Sequence, residues 1–156
     1  MQTFLPYSCF SESVKVLDYK RLGKQRVEAM QIINVLTGIQ QTKGWHNHPA
    51  VKMWKGYELA LSMYHDLCIL EWLSHGFNNT MAFKYYDISN GSAIGSTKGI
   101  PEMPWWIGNE DFHRSHRSRL IEKDESFYLP LFPDDKLFNG GKYFWPVNET
   151  KTFKII

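Results

Sequence analysis

The sequence predicts a mainly α fold: a compact single-domain bundle over residues 1–156, built around one long central helix, with a small β-hairpin in the C-terminal tail. Three observations carry this. Apolar residues recur at helical steps over 21–36, 49–74 and 110–125. Glycine or proline stop signals follow each stretch: Thr37-Gly38, Ser74-His75-Gly76, and Pro130 with Pro133. Extended segments are confined to the tail, where Lys142–Trp145 and Thr150–Ile156 are set among Asp-Asp and Gly-Gly turns.

Residues 1–10 are mostly apolar but broken by Pro6, and read as an arm packed on the body. Ser11 or Ser13 can cap a first helix starting near Glu12, and Gly23 is expected to loosen or break the path into the next one. From Arg21 to Leu36, the residues Leu22, Ala29, Ile33 and Leu36 make one apolar face. On the same helix Arg21, Gln25, Glu28 and Gln31 make a separate polar line. A loop over 38–48 leads to Pro49, which suits a first helical turn. Met53, Tyr57, Ala60, Tyr64 and Leu67 then recur through a long helix over 49–74, apolar around much of its girth. Residues 76–108 read as a long connection with a short helix near Met81–Tyr86, and a connection of that length is often functional. Asn109 can cap the last long helix, with Asp111 in its first turn.

The bulk numbers exclude several classes of function. A chain of 156 residues with 43% hydrophobic and 22% charged residues suits one ordinary globular domain. No apolar run approaches the ~18 residues of a membrane span, and the N-terminus lacks the pattern of a secretory signal. Two cysteines, Cys9 and Cys68, make no disulfide framework, so a reducing cytoplasmic setting is expected. A monomer is the expected state. The net charge of +2 is too small for a chain that is cationic throughout, so any polyanion must be held by local clusters. Aromatics at 15% are abundant enough to fill a core and also to stack on exposed bases.

The strongest local cluster is Asp18-Tyr19-Lys20-Arg21-Leu22-Gly23-Lys24-Gln25-Arg26-Val27-Glu28. Lys20 and Lys24 share a helix face, where like charges repel, so an anion should compensate them, and phosphate is the natural one. The plainer reading is a solvated face balanced by Asp18 and Glu28. The second cluster is His113-Arg114-Ser115-His116-Arg117-Ser118-Arg119 with Lys123, which can grip a phosphodiester while an imidazole exchanges a proton near neutrality. Its plainer reading is a charged helix paired with Glu110, Asp111 and Glu122. His46-Asn47-His48 matches no metal-ligand spacing, so no metal is expected; these histidines can contact phosphate or base, or cap the following helix. Trp45 and Trp105 flank the motifs in loops, and one of them can stack on an unstacked base, although tryptophans are more often core residues. No phosphate-cradling glycine loop, serine-nucleophile elbow or cofactor motif is present, and no cofactor is called for.

Three blocks in order resemble the small helical pyrimidine-dimer DNA glycosylases of the phage endonuclease V type, as a divergent branch. They are Leu17-Asp18-Tyr19-Lys20-Arg21-Leu22; His48 through Leu73 to Gly76-Phe77-Asn78; and Trp106-Ile107 through Ser115, Leu120, Lys123 and Tyr128. The resemblance implies binding of bent duplex DNA, extrusion of a base, and attack on the sugar C1′ by an N-terminal α-amine to form a Schiff base. A carboxylate assists base release and the β-elimination that follows. Free α-amines titrate at roughly 7.7–8.0, so much of such a group is neutral and nucleophilic at physiological pH. The resemblance also implies DNA contacts at Lys20, Lys24 or Arg26, Arg119 and Lys123.

Two positions depart from the family pattern. The family's amine belongs to a threonine exposed by removal of the initiator methionine. Here residue 2 is Gln, which blocks that removal and leaves the amine on Met1. The family's glutamate falls at Arg21, so the carboxylate becomes Asp18 or Glu28, the latter on Arg21's own helical line. The expected function is therefore a DNA glycosylase removing a damaged or modified pyrimidine, with AP-lyase activity through the N-terminal amine. Met1, Asp18, Glu28, His113 and His116 are the candidate catalytic residues. Lys20, Arg21, Lys24, Gln25, Arg26, Trp45, His46, His48, Arg114, Arg117, Arg119 and Lys123 are the candidate DNA contacts. A nucleotide- or nucleoside-processing enzyme and a non-catalytic DNA-binding module are the rival readings of the same residues.

Overall fold

The computed structural model of the protein describes residues 1–40, 44–89, 92–93 and 98–156. Parts of the predicted loop over 38–48 and of the connection over 76–108 lie outside the described residues. The fold is mainly α. Its contacts group into two compact units: Met1–Thr3 with Val14–Pro104, and Phe4–Ser13 with Trp105–Ile156.

The first helix, α1, spans Phe10–Lys15 and so begins earlier than Ser11 or Ser13 would allow as caps. Ser13 is instead fully buried, and its hydroxyl accepts from the Tyr7 amide and donates to the Tyr7 carbonyl. A hydroxyl that serves a neighbouring turn in this way is unavailable as an N-cap.

Within the first unit, α2 runs Tyr19–Leu36 without a break at Gly23. The reason is packing. A Cβ at Gly23 would stand 3.1 Å from Cζ3 of Trp72, so the missing side chain lets that indole lie close against the helix. This offsets the helix-propensity cost of glycine, about 1 kcal/mol. Thr37 ends α2, its amide bonding back to Ile33, and Gly38 follows at φ 78° in the left-handed conformation expected of a C′ residue.

The predicted helix over 49–74 is two helices. α3 spans Pro49–Trp54 and α4 spans Glu58–Ser74. Gly56 at φ 89° turns the chain between them, and its amide donates to the Glu58 side chain at 3.0 Å. The apolar periodicity runs unbroken through the turn because both helices face the same core, which is why spacing alone reads as one helix. α2 packs along α4. Leu22, Ala29, Ile32 and Ile33 on one side and Ala60, Leu61, Tyr64, Cys68 and Ile69 on the other are buried, each large side chain contributing about 1.5–3 kcal/mol.

No helix forms over Met81–Tyr86. The chain there bends around one buried carboxylate. Asp66 on α4 accepts from the amides of Lys84 (2.9 and 3.1 Å), Tyr85 (2.6 Å) and Tyr86 (2.8 Å). His65 Nδ1 lies 2.7 Å from its Oδ1. Amides that would have paired along a helix are satisfied by a side chain instead. Two short strands, β1 (Ile88–Ser89) and β2 (Ser92–Ala93), pair antiparallel beyond this bend.

In the second unit α5 spans Glu110–Lys123, capped as expected by Asn109, whose Oδ1 accepts from the Phe112 amide at 3.0 Å. Asp124 then caps α6, Glu125–Tyr128. The expected tail hairpin is present: β3 (Phe144–Val147) pairs antiparallel with β4 (Thr152–Ile155), Phe144 opposite Ile155. Trp106, Phe112, Leu120, Tyr128 and Leu5 are fully buried and form the heart of this unit's core.

The Asp66 knot generates a stability prediction. Burial alone would raise the carboxyl pKa, but the hydrogen bonds from His65 and the three amides outweigh it and hold the pKa below the ordinary carboxylate value. A depressed carboxylate contributes stability at pH values above its unfolded pKa of about 3.9, and loses it as pH falls through the folded value. Asp66→Ala leaves three amides unpaired and should cost about 3 kcal/mol or more at pH 7 by urea denaturation. The variant should also lose less stability than the wild type between pH 5 and pH 3. An equal acid-induced loss in both proteins would mean that Asp66 does not carry this linkage.

Candidate active site

The polar line predicted on α2 divides in two once folded. Arg21, half-buried, turns back to Asp18 at 3.3 Å. One and two turns further on, Gln25 and Glu28 meet the start of the chain. Gln25 is 1% exposed. Its Nε2 donates to the Gln2 carbonyl at 2.8 Å and to Glu28 Oε2 at 3.3 Å, and its Oε1 accepts from the Tyr64 hydroxyl of α4 at 2.8 Å. Glu28 Oε2 in turn accepts from the Gln2 amide at 3.2 Å. Both backbone groups of residue 2 are therefore tied to α2.

The next residue is held as firmly. The Thr3 amide donates to the Gln2 side chain at 2.8 Å, and Thr3 Oγ1, fully buried, accepts from the Trp54 indole at 2.9 Å. Met1 is thereby carried on a braced stem, one residue from Glu28. A group mounted this way loses little further entropy when it is held in one geometry.

His48 stands in the same neighbourhood. It caps α3: its Nδ1 accepts from the Ala50 amide at 3.1 Å, which puts the ring proton on Nε2. Its pKa is lowered, first by burial and then by the positive N-terminus, with Glu28 opposing. Met1 also lines a cavity of about 120 Å³ with Gln31, Val35, Gln40 and Trp45. Trp45 and His46 lie in a short 3-10 turn, Trp45–Asn47; Trp45 is 38% exposed, and its ring centroid is 5.7 Å from that of His48.

The cations of the first cluster separate by role. Lys20 and Lys24 are exposed on α2. Arg26 stacks over the Trp72 ring at 4.2 Å and donates to Asn79 Oδ1 at 2.7 Å, and burial lowers its pKa. The second cluster lies on α5 in the other unit, and its charges are paired there. Arg114 and Arg117 each reach Asp135 at 2.7 Å; Arg117 also donates to the Pro6 carbonyl and pairs with Glu110. Arg119 pairs with Glu122 at 2.9 Å and lies 5.0 Å above the Tyr143 ring. Lys123 closes α5 in its last turn.

His113 and His116 are buried and grip residue 5. His113 Nε2 accepts from the Gly108 amide at 3.0 Å, so its Nδ1 donates to the Leu5 carbonyl at 2.8 Å. His116 Nδ1 accepts from the Leu5 amide at 3.0 Å. Burial lowers both pKa values, so both rings are neutral near pH 7. Each has a fixed tautomer and a backbone partner at Leu5, and His116 Nε2 is buried without a hydrogen-bond partner among the described residues. Among the described residues no group of three or more His, Cys, Asp or Glu side chains is placed to hold a metal ion. No helix among them is long and apolar enough to cross a membrane.

A family model for pyrimidine dimer DNA glycosylases matches residues 1–85, more than half of the 156. The chain belongs to the pyrimidine dimer DNA glycosylase family. The matched segment contains Met1, Gln2, Gln25, Glu28, His48 and Tyr64, whereas α5 and its arginines lie beyond it. No curated protein and no solved structure matches this member of the family significantly.

Four residues of this arrangement escape a reading of the sequence alone: Gln2, Thr3, Trp54 and Tyr64. Tyr64 carries the one usable signal, a hydroxyl on an apolar helical line, which needs a buried partner. The partner, Gln25, stands on a different helix. Gln25→Ala should leave the Tyr64 hydroxyl and the Gln2 carbonyl short of a partner, and cost about 2–3 kcal/mol in denaturant unfolding. Tyr64→Phe should cost about 1 kcal/mol. If both cost less than half of that, the terminus is not held through this pair.

Proposed function

We propose that the protein is a DNA glycosylase that removes a damaged or modified pyrimidine from duplex DNA, with AP-lyase activity through the α-amine of Met1 and Glu28 as the working carboxylate. The observation that supports it is the junction of residue 2 with Glu28 and Gln25, which sets the residue bearing the amine next to a carboxylate on a rigid mount. Asp18, the other candidate carboxylate, is buried and pairs with Arg21.

The chemistry runs as follows. The neutral amine attacks C1′ of an extruded nucleotide, and the glycosidic C1′–N bond breaks. The base leaves with the bonding electron pair and takes up a proton. The nitrogen loses one proton; the C1′–O4′ bond then breaks with its electron pair going to O4′, which takes up a proton, and the nitrogen lone pair forms the protonated imine that joins Met1 to C1′. Glu28 stabilises the positive charge that develops on the sugar, then accepts a proton from C2′. The C2′–H electrons form a C=C bond, and the 3′ phosphate leaves with the C3′–O pair. Hydrolysis of the imine frees the amine. Extruding the base costs a few kcal/mol, least where the base is already damaged. Lys20 and Lys24 hold phosphates on the exposed face of α2. Arg21 is close enough to them to add to the field while paired with Asp18.

Two experiments test this. Glu28→Gln should lower single-turnover base release and strand cleavage at least about 100-fold, the usual scale for loss of an acid–base group, while DNA affinity stays within a few fold. Retention of wild-type rates would remove Glu28 from the reaction. Lys20→Ala with Lys24→Ala should flatten the plot of log affinity against log salt by roughly 0.9 per lysine. An unchanged slope would mean that this face does not meet the backbone.

A further inference from the structure

A cavity of about 240 Å³ lies within the second unit, beyond the segment that the family model matches. One wall is a single helical face running from α5 into α6, where Ser118, Ile121, Glu122 and Glu125 follow at steps of three, one and three. Lys136, Leu137 and Gly141 form the facing wall. The two walls are tied together at two points. Arg119 Nη1 donates to Glu122 Oε2 at 2.9 Å and to the Gly141 carbonyl at 3.3 Å, and Lys136 pairs with Glu125 Oε1. The space is therefore built into the fold.

Its deepest polar atom is unsatisfied. Ser118 is 3% exposed, and its Oγ has no hydrogen-bond partner among the described residues. A buried hydroxyl left in this way costs stability, and this one borders open volume. The apolar lining comes from Ile121, which is buried, and from Leu137, which is exposed. Leu137 is held at φ 57°, a conformation that bulky side chains rarely adopt.

The polar atoms left open call for a ligand that donates. Glu122 uses Oε2 and Glu125 uses Oε1 in their ion pairs, so each keeps a second oxygen. Both carboxylates are more than half exposed, at 61% and 55%, whereas the hydroxyl is buried. Negative charge thus sits at the mouth and a single hydrogen-bonding group at the floor, with aliphatic surface between them. An ammonium brings three donors and the complementary charge to such a mouth. An anion would meet two carboxylates there.

We propose that this cavity binds a short aliphatic amine with a second polar group at its far end, a diamine or an amino alcohol, its ammonium held by Glu122 and Glu125 and its far group by Ser118. The assignment stands independently of the glycosylase reading.

Calorimetric titration of the full chain with putrescine, aminobutanol, butylamine and butanediol tests it. Putrescine and aminobutanol should bind saturably at millimolar concentrations. Butylamine lacks the far group and should bind about tenfold more weakly. Butanediol lacks the charge and should show no saturable binding. Ser118→Ala should abolish the advantage of putrescine and aminobutanol over butylamine. Its Tm without ligand should match that of the wild type, because the hydroxyl has no partner to lose. Glu125→Gln should weaken all three amines about tenfold. The assignment is overturned if no amine binds saturably, if butanediol binds as well as putrescine, or if Glu125→Gln binds like the wild type. It is overturned equally if Ser118→Ala keeps the advantage of the two longer ligands, which would mark loose association with surface carboxylates.

Discussion

One buried amide ties the candidate site together. Gln25 joins the Tyr64 hydroxyl, the Gln2 carbonyl and Glu28 through a single side chain. Burying a carboxamide costs several kcal/mol unless its hydrogen bonds are made, and here both its donor and its acceptor side are used. A glutamate could only accept in this place and a lysine could only donate, so neither could link a carbonyl, a carboxylate and a hydroxyl at once. The constraint runs in both directions. The packing of α2 on α4 places Gln25 opposite Tyr64, and the linked amide then fixes the path of residue 2.

That arrangement lets two short, weakly structured residues act as part of a rigid element. The backbone of residue 2 is tied to α2 at both its N–H and its C=O, and Thr3 is tied to the Trp54 indole. The cations sort by the same logic of satisfied partners. Arg26 is held by Trp72 and Asn79, and the α5 arginines are engaged by Asp135, Glu110 and Glu122. Lys20 and Lys24 remain exposed on α2, in the unit that also carries Glu28. A net charge of only +2 is thus compatible with a polyanion-binding face, because the arginines of the other unit are balanced inside it.

Much of the fold was legible because it rests on local rules. The α2 apolar face, the Thr37-Gly38 stop, the Asn109 cap and the tail hairpin all follow from spacing and turn chemistry over a few residues. The misses share a different cause. Gly56 needs a positive φ that apolar periodicity hides, Gly23 is explained by Trp72 some fifty positions away in sequence, and the bend at 84–86 depends on a carboxylate of α4. Within the site, Glu28 could be selected from α2's periodicity, and Gln25 stood on the same line as a DNA contact. Their convergence on Gln2 could not be foreseen, since nothing local tells residue 2 which helix will receive it. For the histidines of α5, composition shows imidazoles, and only the fold shows Leu5 between them.

The nucleophile we propose is the braced terminus, and no lysine of α2. Borohydride reduction of the complex with abasic DNA, followed by proteolysis and mass spectrometry of the cross-linked peptide, tests it directly. A single adduct on the α-nitrogen of Met1 is expected. An adduct on the ε-nitrogen of Lys20 or Lys24, with the terminal amine unmodified, would contradict it.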